Sequence, residues 1–240
     1  MNRHGSDLLE VGGLTPLTSI DYPGELAAVI YCRGCPWRCR YCHNAHLLAA
    51  GDDGGELIGW AEVMAFLKQR WGLIDAVVFS GGEPTAQSGL GAAMTQVRGL
   101  GFKIGLHTGG PCPERLVSLL PLLDWVGLDI KALPEDYPLV TGVPGSGDKA
   151  WRSLRLLLDA GVSLEVRTTP MRGLDNRDYL QGLMQRLSAA GVTDYVLQQC
   201  QPEHVLDPTL EPHALPLQSD LWPPSGFRAF SVRTAQTSPG

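Results

Sequence analysis

Cys32-Arg33-Gly34-Cys35-Pro36-Trp37-Arg38-Cys39-Arg40-Tyr41-Cys42-His43-Asn44 holds four of the chain's six cysteines, and it follows directly on the apolar run Leu26-Ala27-Ala28-Val29-Ile30-Tyr31. That run reads as a strand buried on both faces, which puts the cysteines in the loop at its C-terminal end. Within the loop Cys35, Cys39 and Cys42 form C-x3-C-x2-C. At this spacing one short loop can wrap three thiolates around a single iron-sulfur cluster, leaving a fourth iron without a protein ligand. A metal with an open position binds and activates a substrate, so three ligands point to chemistry. A zinc ribbon separates its two C-x2-C pairs by about 15–20 residues, far more than the gap here. A disulfide framework belongs to small, cysteine-dense secreted chains, and 6 cysteines in 240 residues are not dense. The remaining rival is a four-thiolate site that recruits Cys32, since C-x2-C-x3-C-x2-C could close the cube.

Working outward, residues 51–55 are a turn-rich spacer. Residues 60–71 place Val63, Phe66, Leu67 and Trp71 at helical spacing. Further strands are expected at 75–80, 102–107, 125–130, 162–168 and 194–198, with helices at 90–100, 113–120, 148–160 and 177–189 between them. Six parallel units, each ending in a loop, predict a partial (β/α)6 barrel over residues 12–200. The alternative is an open doubly wound sheet, and the chain lacks its Gly-x-Gly-x-x-Gly fingerprint. Residues 1–11 read as a loose N-terminus. Residues 201–240 form a proline-rich tail expected to pack on the barrel as an extended segment, with a final strand at 227–232. The tail offers no second cluster site.

With 44% hydrophobic residues the chain can fold as one domain burying roughly 70–75% of its unfolded surface. A net charge of -6 argues against nucleic acid or an anionic membrane as the main partner. There is no apolar signal core at the N-terminus and no run near the roughly 18 residues of a membrane span. A cytoplasmic protein with reduced thiols is the expectation.

In α/β barrels the working face lies at the C-terminal ends of the strands. Polar residues there recur at period two: His107 shares a face with Lys103, Asp129 with Lys131, and Glu165 with Arg167. Charge lining an interior is costly without a partner, and a charged, hydrogen-bonding cosubstrate would resolve that cost. Ser80-Gly81-Gly82-Glu83-Pro84 follows the second strand, where glycines let backbone approach a ligand. Cys112 and Cys200 read as ordinary thiols.

The run Cys35-Pro36-Trp37-Arg38-Cys39-Arg40-Tyr41-Cys42-His43-Asn44 resembles the signature of the radical S-adenosylmethionine superfamily, and its Tyr-Cys-His-Asn ending resembles the glycyl-radical-enzyme activating branch. Residues 12–24 are similar to the lead-in of activating proteins for anaerobic ribonucleoside-triphosphate reductase, as is Tyr195-Val196-Leu197-Gln198-Gln199. The resemblance implies the partial barrel, a 4Fe-4S cluster on Cys35, Cys39 and Cys42, and reductive cleavage of S-adenosylmethionine to a 5'-deoxyadenosyl radical that abstracts hydrogen from a protein glycine. It also implies cosubstrate contacts from Tyr41 and His43, from Gly82 and Glu83 at the amino group of the methionine moiety, and from Lys131 of Leu128-Asp129-Ile130-Lys131 at its carboxylate. Arg167 could serve the same carboxylate bidentately, oriented by Glu165, and Gln199 could contact the adenosine. His107-Thr108 stands where relatives show Asp-Thr beside a monovalent cation, so histidine departs from that pattern. The implied partners are a glycyl-radical protein, namely anaerobic ribonucleotide reductase, and a low-potential electron donor such as flavodoxin or ferredoxin. The alternatives are another glycyl-radical enzyme or a small molecule as substrate and, from a different class, a non-catalytic four-cysteine electron-transfer or metal-sensing protein.

Overall fold

The computed structural model describes residues 9–49, 56–200, 205–210 and 226–233. Most of residues 1–11, the spacer at 51–55 and much of the 201–240 tail lie outside the described residues. Among the described residues eight strands occur in sheet order as they do in sequence: β1 (Val11–Thr18), β2 (Ala27–Cys32), β3 (Ala76–Gly81), β4 (Lys103–Thr108), β5 (Trp125–Asp129), β6 (Ser163–Thr168), β7 (Asp194–Gln198) and β8 (Ala229–Arg233). The helices are α1 (Trp60–Gln69), α2 (Leu90–Gly99), α3 (Pro113–Leu119), α4 (Tyr137–Thr141), α5 (Ser146–Ala160) and α6 (Arg177–Ala189). The six expected strand-helix units are β2 to β7, the arrangement of a partial (β/α)6 barrel.

Two compact units divide the chain, residues 1–36 with 46–126, and residues 37–45 with 127–240. In the first, β2, β3 and β4 run parallel, from Ala27 opposite Ala76 to Cys32 opposite Gly81. Both faces are buried, as their apolar runs require. Ala28, Ile30, Val77, Phe79, Ile104 and Leu106 show no exposed surface on one side, and Ala27, Val29, Ala76 and Val78 none on the other. Tyr22 closes over this second face and stacks on Trp125 with ring centroids 5.1 Å apart. Gly105 leaves the room, since a Cβ there would stand 3.0 Å from both Tyr22 and Val78.

β1 is an addition to the expected set. It pairs antiparallel with β2 from Val11 opposite Cys32 to Thr18 opposite Ala27, with irregular register between Val11 and Gly13 and between Thr15 and Thr18. Gly12, Gly13 and Pro16 hide it from a pattern reading, because such residues are confined to edges and bulges.

In the second unit β6, β7 and β8 are parallel. α6 buries Leu180, Leu183, Met184 and Leu187 at helical spacing, and the Asn176 side chain accepts from the Tyr179 N–H to cap its start. α5 buries Ala150, Trp151, Leu154 and Leu157 and ends at Gly161 in the left-handed conformation.

Candidate active site

The first unit holds Cys35, Gly82, Glu83 and His107. The loop leaving β2 and the loop leaving β3 share backbone: the Gly82 N–H donates to the Cys32 carbonyl at 2.8 Å, and the Glu83 N–H to the Gly34 carbonyl at 2.9 Å. Gly34 N–H donates to Leu47 at 2.7 Å and Cys35 N–H to Leu48 at 3.3 Å. This packing explains the glycine pair. A Cβ on Gly82 would meet the Gly34 carbonyl oxygen at 2.5 Å and that of Leu47 at 2.9 Å, and Gly81 has a φ of +117° with Cys32 backbone against it.

The Glu83 side chain is buried and satisfied from within. One carboxylate oxygen accepts from the Thr85 N–H (3.0 Å), the Thr85 hydroxyl (2.5 Å) and the Thr108 hydroxyl (2.7 Å), and the other from the Gly109 N–H (3.0 Å). Burial pushes its pKa up, while the donors from Thr108, Thr85 and Gly109 pull the other way. His107 lies edge-on to Trp125 and its Nε2 is 2.8 Å from the Asp21 carbonyl oxygen, which fixes Nε2 as the protonated nitrogen. Lys103, on the same face by period, turns to an exposed ion pair with Glu25 at 2.5 Å.

The second unit brings together Cys39, Tyr41, Cys42, Asp129 and Lys131, and also contains His43, Arg167 and Gln199. The Cys42 N–H donates to the Cys39 carbonyl at 3.0 Å, closing a tight turn between the two thiols. Lys131 Nζ stands 5.6 Å from the Tyr41 ring centroid and 3.1 Å from Asp129 Oδ2. Burial depresses the lysine, but the Asp129 carboxylate and its other neighbours outweigh it and hold its pKa well above the usual range. Burial pushes the Cys39 thiol up and Lys131 opposes it. His43 is exposed. On β6, Arg167 Nε donates to Glu165 at 2.7 Å, and Arg233 of β8 grips the same carboxylate at 3.0 and 2.8 Å. Gln199 N–H donates to the Arg233 carbonyl at 2.8 Å. Sequence reading missed Arg233, which lies far along the chain with only a weak strand signal.

All six cysteines fall among the described residues and none is in a disulfide. Cys32 is fully buried as the last residue of β2, opposite Val11 and Gly81. Burial first, and the Glu83 carboxylate second, push its thiol up. Among the described residues no group of three or more His, Cys, Asp or Glu side chains forms a single-ion site. A four-iron cube is wider than one ion and sets its ligands further apart.

Residues 29–185 match the model of the Radical SAM superfamily, more than half of the chain. The chain belongs to the radical SAM superfamily. Among its relatives, a putative glycyl-radical enzyme activating enzyme from Methanocaldococcus jannaschii is 26% identical over 218 residues, 88% of each chain. A pyruvate formate-lyase-activating enzyme from Streptococcus mutans is 31% identical over 194 residues, 72% of this chain and 70% of that protein. In fold, a radical SAM methyltransferase from Sphaerobacter thermophilus aligns with a TM-score of 0.66 at 16% identity, over 92% of this chain and 69% of that one. SuiB of Streptococcus suis bound to S-adenosylmethionine aligns at 0.62 and 14% identity, over 78% of this chain, which spans less than half (43%) of SuiB. Membership makes the protein a radical SAM enzyme using a 4Fe-4S cluster and S-adenosylmethionine, and it sets aside the non-catalytic electron-transfer or metal-sensing alternative. The residues fit such a pair. Cys35, Cys39 and Cys42 have the cluster spacing in the sequence, and within the second unit, in the turn between Cys39 and Cys42, the Tyr41 hydroxyl is buried without a hydrogen-bond partner, which a polar ligand would satisfy. No helix among the described residues is long and apolar enough to cross a membrane.

Proposed function

We propose that this radical SAM enzyme installs a glycyl radical on a partner protein, and that the partner is an anaerobic ribonucleoside-triphosphate reductase. The observation that carries the first part is that two relatives, matching 88% and 72% of the chain, are both named activating enzymes. The reductase is supported by residues 12–24 and by the Gln198-Gln199 ending of β7, which resemble that subgroup of activators. The catalytic barrel is taken to span residues 12–200.

The cluster with its cosubstrate supplies one-electron reductive cleavage that yields methionine and a 5'-deoxyadenosyl radical. Cys35, Cys39 and Cys42 would hold the cluster by their thiolates. Lys131, charged across the physiological range because Asp129 sits against it, offers its ammonium to the cosubstrate carboxylate, and Arg167 adds its guanidinium. Tyr41 and His43 flank the third thiolate, and Gly82 and Glu83 present main-chain groups to the cosubstrate amine. Asp129 and His107 are further candidate contacts to the cosubstrate, and Gln199 is a candidate contact to its adenosine, each on the resemblance. A low-potential donor such as flavodoxin or ferredoxin delivers the electron.

Anaerobic incubation with S-adenosylmethionine, a low-potential reductant and either the reductase or pyruvate formate-lyase tests the assignment by electron paramagnetic resonance. A glycyl-radical signal on the reductase alone is expected. A signal on pyruvate formate-lyase alone transfers the protein to that partner, and cleavage with no protein radical on either rejects the proposal.

A further inference from the structure

α4 is a five-residue helix between Pro134-Glu135-Asp136 and Gly142, and it touches two parts of the candidate site at once. Tyr137 at its start is fully buried. Its hydroxyl accepts the Lys131 N–H at 2.9 Å and lies 3.4 Å from the Asp129 carbonyl oxygen, to which it donates. Its ring meets Trp37 edge-on with centroids 5.8 Å apart. At the other end of α4 the Val140 carbonyl accepts the Arg40 N–H at 3.0 Å, and the Thr141 carbonyl accepts the Arg38 N–H at 2.9 Å. Lys131 has left the sheet by this point, so the usual ladder cannot fix its backbone. Two more aromatic groups complete the support: Trp151 Nε1 donates to the Ala132 carbonyl at 3.1 Å, and the Leu133 N–H donates to the Tyr179 hydroxyl at 3.0 Å.

We propose that Tyr137 is a positioning residue of the cosubstrate site, fixing the backbone of residues 129–131 so that Lys131 is held over Tyr41 while the same helix anchors the cysteine loop. The inference rests on the reading of Lys131 as a carboxylate ligand. A lysine on a flexible stem loses affinity when its backbone drifts, because the entropy of placing it is then met at binding. Removing the Tyr137 hydroxyl leaves a buried N–H without its acceptor, and the loop relaxes locally.

The test uses the reconstituted protein and the variants Tyr137→Phe, Lys131→Ala and the double variant. Three readouts are taken: S-adenosylmethionine affinity by anaerobic titration, the paramagnetic spectrum of the reduced cluster with and without S-adenosylmethionine, and hydrogen exchange. Tyr137→Phe is expected to weaken affinity about five- to tenfold, with iron content and the spectrum of the cosubstrate-free cluster unchanged. Exchange should accelerate only in residues 129–133, and the double variant should bind no more weakly than Lys131→Ala. If Lys131→Ala binds normally, the reading of Lys131 fails and the inference falls with it. If Lys131→Ala weakens binding but Tyr137→Phe does not, or their effects add, the inference alone is wrong. Loss of iron or chain-wide acceleration of exchange would make Tyr137 a general structural residue and overturn the proposal.

Discussion

Cys32 and Cys39 are both buried thiols, yet their settings differ. Cys32 is locked between Val11 and Gly81 in the sheet, whereas Cys39 heads the turn that reaches Cys42. Replacing Cys35, Cys39 or Cys42 by alanine should therefore abolish the cluster. Cys32→Ala should keep it and lose about 1 kcal/mol of stability as a small core deletion; iron counts and urea midpoints on the four variants check this. Lys131→Ala should weaken S-adenosylmethionine binding by about 1.5–3 kcal/mol, the scale of a hydrogen bond to a charged group, with iron content unchanged in the same titrated sample. Asp175 gives a pH signature. Burial first raises its pKa to about 7, against donation from the Met171 N–H and with the Asp136 charge adding to the rise. A carboxyl whose folded pKa lies above its unfolded value makes the fold bind the extra proton, so stability falls as pH rises from about 4 to about 7. Asp175→Asn should flatten that slope and stabilise the protein at pH 8 by on the order of 2–4 kcal/mol, read from urea midpoints at pH 5 and pH 8.

The two loops that leave β2 and β3 form one backbone layer, and its weak point is Gly82. A methyl group there meets main-chain oxygens of Gly34 and Leu47, which cannot swing aside. Gly82→Ala should cost about 1–3 kcal/mol through overpacking and lower cluster occupancy, measured by thermal melting and iron content on one preparation. The elements legible in the sequence were those with a strong period or a continuous apolar run: α6 was read to its exact ends and β2 to β7 within a residue or so of theirs. Irregular elements were not legible. β1 carries Gly12, Gly13 and Pro16, and α4 is five residues long with Pro138 inside it and Gly142 after it, so local propensity reads turns and only tertiary hydrogen bonds make the elements. The same limit applied within the site. Cys35, Cys39 and Cys42 announce themselves by spacing. Trp151 and Arg233 act on Ala132 and Glu165, 19 and 68 residues away, and Tyr137 on a loop backbone at Lys131, contacts for which no local sequence pattern exists.

At the scale of the whole molecule, the tail ties back to the site's own unit. The Leu206 N–H donates to the Cys42 carbonyl at 3.1 Å and the Asp207 N–H to the Arg40 carbonyl at 2.9 Å, while Arg40 Nε donates to the Asp207 carboxylate at 2.8 Å. Tail residues thus hold the cysteine loop by main-chain bonds that no sequence pattern displayed. A net charge of -6 leaves the partner to be chosen by shape and backbone contact rather than by attraction to a polyanion. In the proposed reaction this chain moves one hydrogen atom from a glycine of its partner to the 5' carbon of the cosubstrate fragment, and isotopes follow that atom. Anaerobic ribonucleotide reductase labelled with α-deuterated glycine, incubated with this protein, S-adenosylmethionine and a low-potential reductant, should yield 5'-deoxyadenosine carrying one deuterium by mass spectrometry, in an amount matching the glycyl radical formed. Unlabelled 5'-deoxyadenosine formed in step with cleavage would contradict the account.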